Sequence, residues 1–179
     1  MLNLTRKHTA IALSVLVMTA IVALADKPPQ GKLIQVDGRV SLNGASAVSG
    51  ATVFSDSTVT TAARSSAVVS LGKLGRVEVL PDSTMKLSFT DTNISVSMLE
   101  AGRVRLSSSS NVGVTTRDCQ ITTTGNPRSE FTVDTSCGNT FVAVARGKVE
   151  LRAGGTVKQI AAGNQDTAGQ ARPGCTPER

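Results

Sequence analysis

Short runs of alternating apolar and polar residues fill the chain from Lys32 to Ile160, broken at intervals of a few residues by Gly, Asp, Asn, Ser and Pro. That two-residue period puts successive side chains on opposite faces of a strand, and runs of this length between turn residues predict an all-β protein. The expected strands are Leu33–Val36, Arg39–Leu42, Thr52–Phe54, Ser66–Ser70, Arg76–Leu80, Thr84–Phe89 and Ile94–Leu99. After them come Arg103–Leu106, Val112–Thr116, Gln120–Thr123, Glu130–Asp134, Thr140–Ala145, Lys148–Arg152 and Thr156–Ile160. One phrase recurs: GRVSL from Gly38, GRVEV from Gly75, GRVRL from Gly102 and GKVEL from Gly147. In each, glycine permits the turn that starts a strand, the Val and the last aliphatic share one face, and the charged residues share the other. The uneven spacing excludes a strict repeat array and implies similar strand starts within one layered or coiled system. Past the first 25 residues no segment has a 3.6-residue apolar period.

Those first residues have a different pattern. Arg6 and Lys7 precede an uncharged, mostly apolar run from Thr9 to Ala25, which ends in Ala23-Leu24-Ala25. This is the layout of an export signal with a small-residue cleavage site before Asp26. The alternative is an uncleaved membrane anchor over residues 9–25, slightly short of the ~20 residues that span a bilayer. Residues 26–31 read as a linker, 32–165 as one β domain and 166–179 as a flexible tail with few apolar anchors. The protein is therefore expected to be exported, periplasmic or extracellular.

Composition narrows the chemistry. The 179 residues carry a formal charge of +6, and loss of Arg6 and Lys7 with the signal would leave 17 basic against 13 acidic residues, or +4. The chain has no Trp, no Tyr and four Phe, so nothing is available to stack on bases between the cations, and nucleic acid is not an expected partner. Its single histidine, His8, lies in the signal, which removes Ser-His, Cys-His and His-metal chemistry from the mature chain.

Three cysteines in an exported protein imply one disulfide and one remaining thiol. Cys119 and Cys137 fall in the turns 117–119 and 136–139, separated by two strands joined at Gly125-Asn126-Pro127-Arg128. Two strands, out and back, return the chain to the same end, so Cys119–Cys137 is the expected bridge, worth about 3 kcal/mol on the chain-entropy account. Cys175 is left in the tail.

The order of motifs resembles the FecR-like domain of exported bacterial proteins. A G-x-V strand at Gly38-Arg39-Val40 is followed by a threonine-rich turn at Thr60-Thr61 and a strand through Ser66–Leu71. Val77–Leu87 (VEVLPDSTMKL) resembles the family's "v.l.p.s.l.l" segment, and Leu99–Val104 its "l..G.v" element. Glu130–Val133, Val142–Val144, Gly147–Leu151 and Ala162-Gly163 resemble its closing pattern. Thr124–Phe131 departs from the common "GT.F.V" by an insertion containing Pro127, and Gly72–Gly75 replaces a "dgs" turn. The resemblance implies a twisted, solenoid-like stack of antiparallel strands. Only eight residues precede the apolar run, so the cytoplasmic sigma-factor-binding segment of the family's transmembrane regulators is not expected, and their iron-signalling role does not transfer.

Stacking of the recurrent strands would align Arg39, Arg76, Arg103, Arg105 and Lys148 into a basic ridge able to meet phosphate or carboxylate groups on an envelope polymer or an acidic protein. The plainer role of these residues is to keep β surface soluble and to discourage edge pairing. Asp82, Asp91, Glu100, Asp118, Glu130 and Asp134 are the acids available for glycoside-type catalysis, but they are scattered and mostly beside turns. Ser107–Ser110 reads as a flexible turn without a base, no calcium-loop pattern occurs, and Asn93-Ile94-Ser95 reads as turn chemistry. The expectation is a non-enzymatic, cofactor-free and metal-free binding or scaffold module of the envelope. A signalling accessory that contacts a transducer or receptor is the alternative.

Overall fold

The computed structural model describes residues 29–98, 100–124 and 128–175. The export segment, residues 26–28 of the linker, residues 176–179 of the tail and the Gly125-Asn126-Pro127 part of the expected turn lie outside the described residues. The strands in chain order are β1 (Gln30–Asp37), β2 (Val40–Leu42), β3 (Ala45–Ser46), β4 (Thr52–Phe54), β5 (Ser57–Thr61), β6 (Ser66–Ser70), β7 (Gly75–Val79), β8 (Ser83–Phe89) and β9 (Asn93–Met98). They continue as β10 (Arg103–Ser108), β11 (Asn111–Thr115), β12 (Gln120–Thr123), β13 (Ser129–Asp134), β14 (Thr140–Arg146), β15 (Lys148–Ala153), β16 (Thr156–Ala161) and β17 (Gln165–Ala168). A single 3-10 turn, Gly72–Leu74, links β6 to β7.

The fold is all-β, as the alternation predicts. Two sheets stack on one apolar core, ordered β4-β1-β6-β7-β10-β13-β14-β17 and β3-β2-β5-β8-β9-β11-β12-β15-β16. Both sheets advance from N-terminal to C-terminal strands as the chain passes back and forth between them. Pairing is antiparallel except between β9 and β11; the intervening β10 lies in the other sheet and supplies the crossover a parallel pair requires. The aliphatic positions of the recurrent phrase point inward: Val40, Val77, Val79, Val104, Leu106, Val149 and Leu151 are buried. All four of its glycines have positive φ.

Three strands escaped the alternation. β3 has only two residues. In β5 the inward positions are Ser57, Val59 and Thr61, so two of three buried side chains are polar. They are satisfied locally: Thr61 Oγ1 donates to Leu80 O at 2.6 Å and accepts from Ser83 N at 3.2 Å, which removes most of the cost of burying a hydroxyl. The threonine-rich stretch expected as a turn is therefore the end of a strand. β17 buries only Ala168, and it corrects the expectation of a loose tail: it pairs with β14 from Thr140↔Ala168 to Ala143↔Gln165. Gln30 and Gly31, assigned to the linker by sequence, belong to β1.

Candidate binding surface

The two sheets split the expected ridge. Arg76 lies on β7, and Arg103 and Arg105 on β10. Arg39 precedes β2 and Lys148 begins β15, both in the other sheet. Because β7 and β10 are antiparallel, with Arg76 opposite Ser107 and Glu78 opposite Arg105, Arg76 and Arg103 lie at opposite ends of their pair. No continuous row forms.

Pairing then divides the cations into two groups. Arg105 Nη1 is 3.0 Å from Glu78 Oε2. Arg103 Nε is 3.0 Å from Asp134 Oδ2, and Asp134, 1% exposed, also accepts from Ser136 N at 2.8 Å. Arg152 meets Glu150 within β15, Lys86 on β8 meets Asp56 just before β5, and Lys158 on β16 meets Asp166 on β17 across the two sheets. The carboxyl of Asp56 is held below its ordinary range by the Ser88 hydroxyl and then by Lys86. Elsewhere on or beside the sheets, the exposed Lys32, Arg39, Arg64 and Lys148 have no ion pair among the described residues.

One end of the sandwich is closed by covalent and polar links. The disulfide joins Cys137 to Cys175, with Cα atoms 5.5 Å apart, which overturns the expected Cys119–Cys137 bridge. The turns do meet as the topology argument required: Thr116 and Thr140 share a hydrogen bond of 2.7 Å, and Arg117 Nη2 donates to Gly138 O at 2.6 Å. Cys119, however, stands two residues before the inward Ile121 and packs into the core as a buried free thiol. Burial pushes that thiol's pKa up, so it is a poor nucleophile at neutral pH. Cys137 instead faces the returning C-terminal segment, where Arg172 N donates to Cys137 O at 2.8 Å and the Arg172 guanidinium donates to Ser136 O. Between these turns lies a cleft of about 380 Å³ lined in part by Glu100, Arg117, Asp118 and Arg172.

Glu100 and Asp118 are the one pair among the six candidate acids that shares a cavity here. Asp118 is engaged by Arg117 Nε at 3.6 Å and accepts from Thr140 Oγ1 at 3.4 Å. Asp82 and Asp91 stay in turns, Glu130 lies at the far end of the sheet and Asp134 is taken by Arg103. Among the described residues no group of three or more His, Cys, Asp or Glu is placed to hold a metal.

The opposite end is built differently. Here β7 and β13 begin while β10 and β14 end, leaving a notch of about 200 Å³ lined in part by Lys73, Ser107, Arg128, Glu130 and Arg146. Its walls are fixed by the serine run, which is no flexible turn. Ser108 Oγ donates to Leu74 O at 2.6 Å, Ser109 Oγ donates to Lys73 O at 2.9 Å, and Ser109 N donates to Leu74 O at 3.1 Å. Gly75, at φ 138°, lies so close to β10 that a Cβ there would be 2.2 Å from Ser107 O. Lys73, Arg76, Arg128 and Arg146 are exposed and have no ion pair among the described residues. Sequence reasoning found Arg76 and missed the other three, which lie at or beyond strand ends where alternation assigns no face. The GRVxL spacing could not show that they converge.

No protein-family model and no curated protein matches the chain by sequence. Two crystal structures of a candidate anti-sigma factor from Parabacteroides distasonis ATCC 8503, at 1.65 and 2.50 Å, share its fold. Each aligns with a TM-score of 0.52 at 19% identity over 62% of this chain and 53% of the other. The chain thus spans about half the length of these neighbours, and the likeness is one of fold.

Proposed function

We propose that this protein is an exported, non-enzymatic module of FecR-like type that contacts an anionic component of the cell envelope through the basic end of its sandwich. The observation that carries this reading is the segregation of charge. Arg103, Arg105, Lys86, Arg152 and Lys158 each have an acid beside them; of the cations with no ion pair among the described residues, Lys73, Arg76, Arg128 and Arg146 gather at one end. A cluster of one sign on a rigid rim concentrates the protein's positive field there and speeds encounter with an acidic surface. The motif order supports FecR-like membership, and export rests on the N-terminal pattern of a polar start, an apolar run and an A-x-A site.

A second reading, a signalling accessory that contacts a transducer or receptor, is favoured by the fold shared with a candidate anti-sigma factor. A pull-down from envelope extract separates the two. Retention of an anionic polymer, lost in a Lys73→Glu/Arg146→Glu variant, supports the first reading. Retention of one specific protein supports the second, and retention of neither by the wild type sinks both.

A further inference from the structure

We infer that the notch between the ends of β10 and β14 and the starts of β7 and β13 is a site for a phosphate group, bound as a dianion. This rests on the reading of the basic end as the contact surface and narrows its ligand to one chemistry.

Charge argues first. Lys73, Arg128 and Arg146 line the notch against a single acid, Glu130, and Arg76 borders it, opposite Ser107 in the β7–β10 register. A lining with three cations and one carboxylate leaves two positive charges, which a phosphate dianion neutralises and a carboxylate monoanion does not. Donor geometry argues next. Two guanidinium groups offer planar forks suited to pairs of phosphate oxygens, and an ammonium adds a compact third donor. The Ser107 hydroxyl enters no hydrogen bond among the described residues and lines the same space. Shape is the third argument. The notch is small and backed by backbone, with Gly75 against Ser107 and Gly147, at φ 85°, whose Cβ would be 3.0 Å from Arg128 O. No aromatic side chain lines it, so it offers no stacking platform for a base or a sugar ring. A tetrahedral oxyanion fits these walls better than an extended chain lying along the sheet, where Glu78 and Asp134 already hold the arginines.

Glu130 makes the assignment testable from both sides. It lies opposite Arg146 and Ser107 in the sheet register and opposes the anion. Inorganic phosphate titrated into the isotopically labelled full chain, followed by amide chemical shifts, is expected to move Lys73, Ser107, Ser109 and Arg146 along saturable curves. Arg128→Gln and Arg146→Gln should each weaken phosphate at least tenfold, Glu130→Gln should tighten it several-fold, and Arg39→Gln should leave it within twofold. All four residues lie outside the core, and an unchanged urea midpoint for each variant separates lost binding from lost fold. Acetate should bind at least tenfold more weakly than phosphate. Shifts that fail to saturate, acetate equal to phosphate, or Arg128→Gln and Arg146→Gln that bind as the wild type each overturn the site. Vesicles containing phosphatidic acid, compared with phosphatidylcholine, then identify the source. Retention lost in Arg146→Gln assigns a lipid headgroup, and no retention with phosphate titration intact assigns a soluble or polymer-borne phosphate. If phosphate fails while the Lys73→Glu/Arg146→Glu pull-down still loses its polymer, the notch proposal falls and the broader function stands.

Discussion

The two ends of the sandwich are made from the same residue types and solve opposite problems. At the disulfide end Arg117 and Arg172 donate to carbonyls of the Ser136–Gly138 turn, Asp118 meets Arg117, and Cys137–Cys175 ties down the returning chain. At the basic end Lys73, Arg128 and Arg146 stand around a notch whose Ser108 and Ser109 hydroxyls are spent on the backbone beneath them. Satisfied charges contribute order and little attraction for a partner, whereas unsatisfied ones contribute a field and little order. The proposed contact surface and the disulfide thus lie at opposite ends of the sandwich, which lets either be altered while the other is watched.

The largest expected effect breaks the closed end. Cys137→Ser opens a loop spanning 38 residues and should destabilise the fold by about 4 kcal/mol on the chain-entropy account, read as a lower urea midpoint. Reductant should reproduce that shift in the wild type, and peptide mapping should join the Cys137 and Cys175 peptides. Cys119 should resist alkylation until the chain unfolds. Rapid labelling of Cys119 in the native state, or a Cys119–Cys137 peptide, would contradict the arrangement. Phosphate binding at the far end should survive.

A smaller effect acts on the open end. Gly75→Ala would place a methyl 2.2 Å from Ser107 O and 2.7 Å from Ser108 Cα, both backbone atoms, at a φ that side chains resist. We expect a loss of about 3 kcal/mol, the upper range for a strained backbone site. Gly44→Ala, at φ 82° with nothing within 4 Å, should lose only about 1 kcal/mol. The comparison is made by urea unfolding of both variants, and equal losses would mean that β7 does not press on β10 as described. Phosphate affinity should fall in Gly75→Ala and hold in Gly44→Ala.

The same contrast explains what could be read before the fold was seen. Strands whose inward residues are aliphatic, such as Arg76–Leu80 and Arg103–Leu106, announce themselves through a two-residue period. β5 does not, because Ser57 and Thr61 are buried with their hydroxyls satisfied, and a polar letter in an inward position erases the signal. The recurrent GRVxL phrase correctly set the inward Val and Leu, since that is a property of one strand. It misplaced the ridge, since whether Arg39 and Lys148 share a sheet with Arg76 depends on which strands pair. The cysteines failed for a related reason. Topology brought the turns of Cys119 and Cys137 together, but the direction of the Cys119 side chain into the core and the return of the tail depend on tertiary packing. Lys73, Arg128 and Arg146, scattered over 74 positions of sequence, carry no local pattern that announces their convergence.

The smallest effect is the sharpest test of whether the basic end is a discrete site. Glu78→Gln frees Arg105 of its partner on the middle of the sheet, where the arginine is 49% and the glutamate 31% exposed. An ion pair this solvated contributes little, so the unfolding midpoint should move by less than about 0.5 kcal/mol. The new unpaired charge, Arg105, is on β10 opposite Glu78, which lies two residues along β7 from Arg76. Screening at physiological ionic strength reduces such an influence over a length of about 8 Å, so phosphate affinity should stay within twofold of the wild type. Glu130→Gln, inside the notch, should change it several-fold. Equal gains from the two substitutions would mean that phosphate responds to the summed charge of the sheet rather than to three side chains held around one cavity, and the distinction between the two ends would reduce to net charge.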